Sequence, residues 1–218
     1  VSGSNCTLTG NTITGNTQVY SAGGIYVPGS NCTLTRNTIT GNTANYYGGG
    51  VLVWGSNCTL TDNVIMNNTA SNGGAIWFYY GQTTTMSRCI VAGNHSTNLG
   101  GGAIYIENYP VYLAGDPNSG AYNIIACNDA TYQIYNSLPF NPNGVNDVHA
   151  EYVRWGTNDP QDLLEYIYDF FDDAGKSIVV WYPLAAYVPG DLNCDGVVNF
   201  DDINPFVLAL SDPAGYHA

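Results

Sequence analysis

Residues 3–27 read GSNCTLTGNTITGNTQVYSAGGIYV, and residues 29–53 read GSNCTLTRNTITGNTANYYGGGVLV. The heptad GSNCTLT returns at Gly55, and a decayed copy, GQTTTMS, begins at Gly81, so the period is 26 residues. Self-similarity on this scale marks a repeat architecture. Within each unit, Cys-x-Leu, Asn-x-Ile and Ile-x-Val are short alternating runs bounded by Gly or Asn, the pattern of strands separated by turns. No 3.6-residue periodicity runs through the unit, which excludes leucine-rich, ankyrin and helical repeats.

Three strands per unit, each hydrogen-bonded to the same strand of the next unit, describe an all-β parallel solenoid with coils ~4.8 Å apart. Alternation assigns the faces: Cys6, Leu8, Ile13, Ile25 and Val27 point inward, and Thr7, Thr9, Thr12, Thr14 and Tyr26 point outward. Stacking turns these positions into ladders. Cys6, Cys32 and Cys58 form one, and Leu8, Leu34, Leu60 and Met86 another; Asn11, Asn37 and Asn63 form a turn ladder whose amides can bond along the stack.

The 218 residues carry 4 Lys or Arg against 17 Asp or Glu, a formal net charge of −13. Four cations cannot neutralise a phosphate backbone, so nucleic acid is excluded as a partner. No run of ~18 apolar residues is present to span a bilayer as a helix. The charge is unevenly placed. Residues 1–115 balance Arg36 and Arg88 against Asp62 and Glu107, while the rest of the chain sets 15 acids against Arg154 and Lys176. A neutral repetitive region of 1–108 is therefore expected, followed by irregular final coils with a capping helix and strand over 109–187, then an acidic segment over 188–218. Asp159 as N-cap and Pro160 as first helical residue place the capping helix at about Pro160–Phe171.

The pattern NCTLTxNTITGNTxxxxGGGI resembles the right-handed parallel β-helix repeats of secreted bacterial surface proteins of the adhesin type. NDVHAEYVRWGTNDP, LLEYIYDFFDD and SIVVWYP resemble the segment that closes many such helices. The resemblance implies a right-handed β-helix, a secreted or cell-surface location, and a structural or adhesive role.

The cysteines stack in phase inside the solenoid, so Cys6, Cys32 and Cys58 read as free buried thiols, and Cys89 as a structural substitute in the Asn ladder. Sequons at Asn5, Asn31, Asn57, Asn67 and Asn94 mark a candidate glycoprotein, but stacked glycans would crowd one another.

Several outward features are candidates for function. Allowing a one-residue shift in the third repeat, Tyr26, Leu52, Trp77 and Tyr105 make an exterior stripe, which implies contact with the rest of the chain, a neighbouring subunit, polysaccharide or a cell surface. The rows Thr7/Thr9, Thr33/Thr35, Thr59/Thr61 and Thr85/Ser87 resemble the flat arrays of ice-binding solenoids, though Thr also simply suits solvent-facing strands. Asp62 and Arg36 occupy one repeat position on adjacent coils and are expected to pair across them. A carbohydrate-active enzyme of lyase or hydrolase type needs clustered carboxylates, or calcium-binding acids with a basic proton acceptor, on one face. The regular coils offer few, leaving Asp116, Asp129 and Asp147 as the acids to test; no catalytic residue is assigned.

The acidic segment holds a sharper motif. Asp191, Asn193, Asp195, Asn199 and Asp202 stand at side-chain positions of a 12-residue calcium loop, with the Val197 carbonyl at its main-chain position and Gly196 at its turn. GDLNCDGVVNFDDINPFVLAL resembles one dockerin-like half-repeat, which implies calcium as a cofactor. The sequence also opens at a repeat boundary, and an uncovered first coil predicts head-to-tail or lateral self-association into a fibre or stalk. The reading favoured by these residues is a secreted, non-catalytic structural or adhesive solenoid with a calcium-stabilised terminus.

Overall fold

The computed structural model of the chain describes residues 3–80, 82–98, 102–156, 160–169 and 171–182. Like strands of successive coils stack in parallel. The first sheet joins Thr7–Thr9, Thr33–Thr35, Thr59–Thr61 and Thr85–Ser87. Thr12–Thr14, Thr38–Thr40, Val64–Met66, Ile90–Ala92 and Ile124–Ala126 make the second. Another sheet joins Ile25–Val27, Val51–Val53, Ile76–Phe78, Gly102–Ile106, Tyr132–Asn136 and Ile167–Tyr168. Register follows the repeat residue for residue, with Leu8 on Leu34 and Ile13 on Ile39.

Each regular coil carries four strands where three were expected. The additional ladder runs through Thr17–Gln18, Thr43–Ala44, Thr69–Ala70 and His95–Ser96. Its strands are only two residues long, too short to show alternation, which is why periodicity alone misses them.

The inward assignments hold. Leu34, Ile39, Leu60, Ile65, Val91 and Phe78 are fully buried in one continuous core, and Cys6, Leu8 and Ile13 of the first coil pack against it. Cys6, Cys32, Cys58 and Cys89 are free thiols, whereas Cys127 is disulfide-bonded. Cys32 donates to the Gly29 carbonyl at 3.2 Å, so the thiols satisfy backbone acceptors beside the core.

Two asparagine ladders run through this interior. In the first, Asn37 Oδ1 accepts from the Asn11 backbone N–H at 3.0 Å and from Asn11 Nδ2 at 2.9 Å. Asn37 Nδ2 in turn donates to the Leu8 carbonyl and to Asn63 Oδ1. The second ladder, Asn16, Asn42, Asn68, Asn94 and Asn128, repeats that bonding one corner later. Each buried amide thereby satisfies the backbone of a turn that no strand partner reaches. Asn94 is fully buried in this ladder, so its sequon is closed to glycosylation in the folded chain, while Asn5, Asn31, Asn57 and Asn67 are exposed.

The first ladder is interrupted at Cys89, whose sulfur receives the Asn63 backbone N–H at 3.4 Å and Asn63 Nδ2 at 3.8 Å. Burial pushes its thiol pKa up to about 11, so it stays protonated and inert. An asparagine there would meet ready partners, because Asn123 Oδ1 already accepts from the Cys89 backbone N–H and the Leu60 carbonyl already accepts from the thiol. Cys89→Asn is expected to stabilise the protein by about 1 kcal/mol. Urea unfolding should show a higher midpoint at unchanged slope; a lower midpoint would mean that the site cannot take the larger side chain.

Beyond the regular coils, the helix spans Pro160–Tyr166 and is shorter than expected, because Ile167–Tyr168 leave it to join the six-stranded sheet. Asp159, the expected N-cap, lies outside the described residues. Val148–His149 pair with Val179–Val180, and the buried Asp169 carboxylate accepts from the Val179 N–H at 2.8 Å and the Phe171 N–H at 3.0 Å, tying this end of the solenoid together.

Candidate functional site: an aromatic cleft on the six-stranded sheet

The outer face of the six-stranded sheet carries the stripe read from the sequence. Tyr26 stacks on Leu52, Leu52 on Trp77 and Trp77 on Tyr105, so the one-residue shift is correct. The row then continues through Tyr135 and Tyr168, whose rings stack at 4.4 Å with planes 4° apart. Exposure differs from expectation. Tyr26 is exposed, but Leu52 and Trp77 are 2% and 5% accessible because side chains from the coil corners close over them. Tyr47 lies 3.8 Å from Trp77, and Tyr79 meets its edge at 5.0 Å. Among the described residues, the cover comes from the solenoid's own corners.

Between those corners lies a cleft of about 510 Å³, within the range that holds a small ligand. Ser21, Tyr47 and Asn72 stand on the side where the chain enters the sheet, joined by successive bridges. Trp54, Tyr79 and Glu107 stand where it leaves, each one residue beyond a strand and each donating its backbone N–H to the strand below. Leu52, Trp77 and Tyr105 form the floor. Trp54 is 40% accessible and packs on Tyr79 at 4.3 Å and beside Tyr80 at 5.7 Å, so part of its indole stays open to a ligand. Sequence reasoning found the floor and missed both walls. The signal was the residue following each Ile-x-Val segment, where Trp54, Tyr79 and Glu107 recur in register.

Glu107 is the one carboxylate lining this cleft among the described residues, and no Lys, Arg or His lines it. Burial raises its carboxyl pKa, and the nearby Trp77 indole partly offsets that. The buried Trp77 N–H approaches this carboxylate without closing a hydrogen bond of normal geometry, so the acceptor keeps lone pairs for a ligand beside the rings. Burial and the Glu107 charge also raise the Tyr79 and Tyr105 hydroxyl pKa values, keeping both phenols protonated as donors at neutral pH.

The other candidates sit elsewhere. Asp116 accepts from Ser119 Oγ at 2.7 Å within its own turn, Asp129 pairs with His95 on the two-residue ladder, and Asp147 accepts from the Ile178 N–H. These three acids are each held by a different local partner, and no group of three His, Cys, Asp or Glu side chains able to hold a metal occurs among the described residues. Asp62 pairs with Arg88, at 2.5 and 3.0 Å, and not with Arg36 as expected. Gly10, Arg36, Asp62 and Arg88 share one left-handed corner, and the bidentate reach is made toward the later coil. Hydrogen bonding to Arg88 lowers the Asp62 pKa, in an exposed pair that contributes little stability. Thr7, Thr33, Thr59 and Thr85 form an unbroken outward row, whereas Thr12 and Thr38 give way to Val64 and Ile90. The calcium loop at Asp191, Asn193, Asp195, Val197, Asn199 and Asp202 lies outside the described residues.

The family description "right handed beta helix region" matches residues 1–140. The chain belongs to the right-handed β-helix family. Its parallel ladders are therefore the sheets of a right-handed β-helix, and the aromatic cleft sits on one flat side of it. No curated protein and no solved structure matches this β-helix significantly. Right-handed β-helices include enzymes as well as binding proteins, so the fold alone leaves the activity open and the cleft must carry the functional reading. No described helix is long and apolar enough to cross a membrane.

Proposed function

We propose that this β-helix is a secreted, non-catalytic adhesive solenoid that binds polysaccharide in the aromatic cleft. The observation that carries the reading is the cleft itself, with a partly open Trp54 indole, an aromatic floor, phenol donors and a single carboxylate. Saccharides present apolar ring faces edged by hydroxyls, and such a surface needs aromatic planes with a few polar groups beside them. Members of this family are often extracellular or surface-exposed, which agrees with the location. A hydrolase of the usual kind requires two carboxylates acting on one ligand, and a lyase a basic proton acceptor. Among the described residues this cleft supplies one carboxylate and no Lys, Arg or His.

A glycan array followed by calorimetry tests the reading. Trp54→Ala is expected to weaken the best-binding oligosaccharide about tenfold while lowering the melting temperature only by the few degrees that loss of its contacts with Tyr79 and Tyr80 costs, the variant staying folded at the assay temperature. Equal binding by the variant would remove the cleft from consideration. Release of reducing sugar ends from a bound glycan would favour the enzyme instead.

Calcium at the dockerin-like loop belongs to the same proposal. Adding calcium to chelator-treated protein is expected to raise the melting temperature, and Asp191→Ala with Asp195→Ala to abolish that rise. No response in the unsubstituted protein would withdraw calcium as a cofactor.

A further inference from the structure

The charge and ring geometry of the cleft narrow the ligand further, resting on the saccharide reading above. Glu107 occupies the column of Trp54 and Tyr79, so its carboxylate is built into the wall beside the same rings that would stack on a sugar. Among the described residues it has no cationic neighbour lining the cleft; the Trp77 N–H edge approaches it, and the rings of Tyr79 and Tyr105, whose faces carry negative π-density, line the same cleft. A partly desolvated carboxylate without a counter-charge is costly, and an aromatic enclosure adds attraction for a cation. An anionic sugar would meet repulsion on both counts. A neutral sugar would leave the carboxylate without its charge partner. A protonated amine on the ring would satisfy Glu107 with a charge-assisted hydrogen bond and lie against the aromatic faces.

We propose that the cleft selects amino sugars carrying a free ammonium group, with Glu107 as the specificity-determining residue. The probes are three short oligomers of matched length, made of glucosamine, N-acetylglucosamine and galacturonate, titrated calorimetrically in a buffer where the amine is protonated. The glucosamine oligomer is expected to bind about tenfold more tightly than its acetylated counterpart, and galacturonate more weakly than either. Glu107→Gln keeps the size and a hydrogen-bonding group but removes the charge, and it should bring the ratio between the first two oligomers to about one. A melting curve matching that of the parent shows that the variant is folded. Binding of the acetylated oligomer as tightly as the free amine, or an unchanged ratio in Glu107→Gln, overturns the amino-sugar inference while leaving saccharide binding in place. Failure of all three oligomers, together with a blank glycan array, overturns the saccharide reading itself.

Discussion

Asn68→Ala is expected to destabilise the solenoid by about 4 kcal/mol, a large share of the 5–15 kcal/mol that holds a typical domain together. Asn68 Oδ1 accepts from both the backbone N–H and Nδ2 of Asn42, while its Nδ2 donates to the Ile39 carbonyl and to Asn94 Oδ1. Truncation removes all of these bonds at once, and Asn42, Asn68 and Asn94 are all fully buried. Each buried group left without a partner costs about 1–3 kcal/mol, reduced where neighbours relax or water enters. The neighbours have little room to relax, because the same corner is pinned by ladder bonds above and below. Urea unfolding with Thr59→Ala as an exposed, outward control should separate the two variants clearly, the control staying within about 0.5 kcal/mol. A loss below about 1 kcal/mol for Asn68→Ala would show that the ladder is incidental to stability.

That ladder also shows where the sequence can be read and where it cannot. The stacked Cys, Leu and Asn11 positions follow directly from a 26-residue period and strict alternation, so the core is legible in the amino-acid order alone. Asn16, Asn42, Asn68 and Asn94 recur at the same interval, yet they sit beside strands two residues long, and nothing in alternation marks a lone inward polar residue at a corner. Past Ser96 the interval breaks. Asn94 is joined to Asn128, 34 residues on, so Tyr135 and Tyr168 could not be placed on the aromatic row by counting. The cleft is half legible for a related reason. Its floor follows the strand alternation once shifts in coil length are allowed, but Tyr47 and Trp54 reach it from positions flanking the strands, where side-chain direction is decided by packing rather than by period. The Asp62 partner escapes the sequence similarly, since one repeat position predicts a neighbour on either side and only the structure selects Arg88.

Gly55→Ala is the second substitution expected to have a large effect, and it follows from the residue that opens every repeat. A Cβ at Gly55 would lie 2.0 Å from the Gly29 carbonyl oxygen and 2.3 Å from the carbonyl carbon, and Gly29 stands in the same relation to Gly3 at 1.8 Å. Both contacts are with backbone, so no side chain can turn away. The coils cannot separate locally either, because Gly55 and Trp54 both donate to the Val27 carbonyl and Asn31 donates to the Ser56 carbonyl across the same gap. Relief would require breaking inter-coil hydrogen bonds on both sides, and a cost on the order of 3 kcal/mol or more is expected. Gly10→Asn provides the contrast. Gly10 has φ +67° with open space around its Cα, and Arg36, Asp62 and Arg88 already hold that left-handed corner with side chains. Asparagine tolerates this conformation, so Gly10→Asn should stay within about 1 kcal/mol of the parent. Thermal unfolding of the two variants side by side distinguishes close coil contact from backbone conformation as the reason for a repeated glycine. A mild effect at Gly55 and a severe one at Gly10 would reverse that assignment.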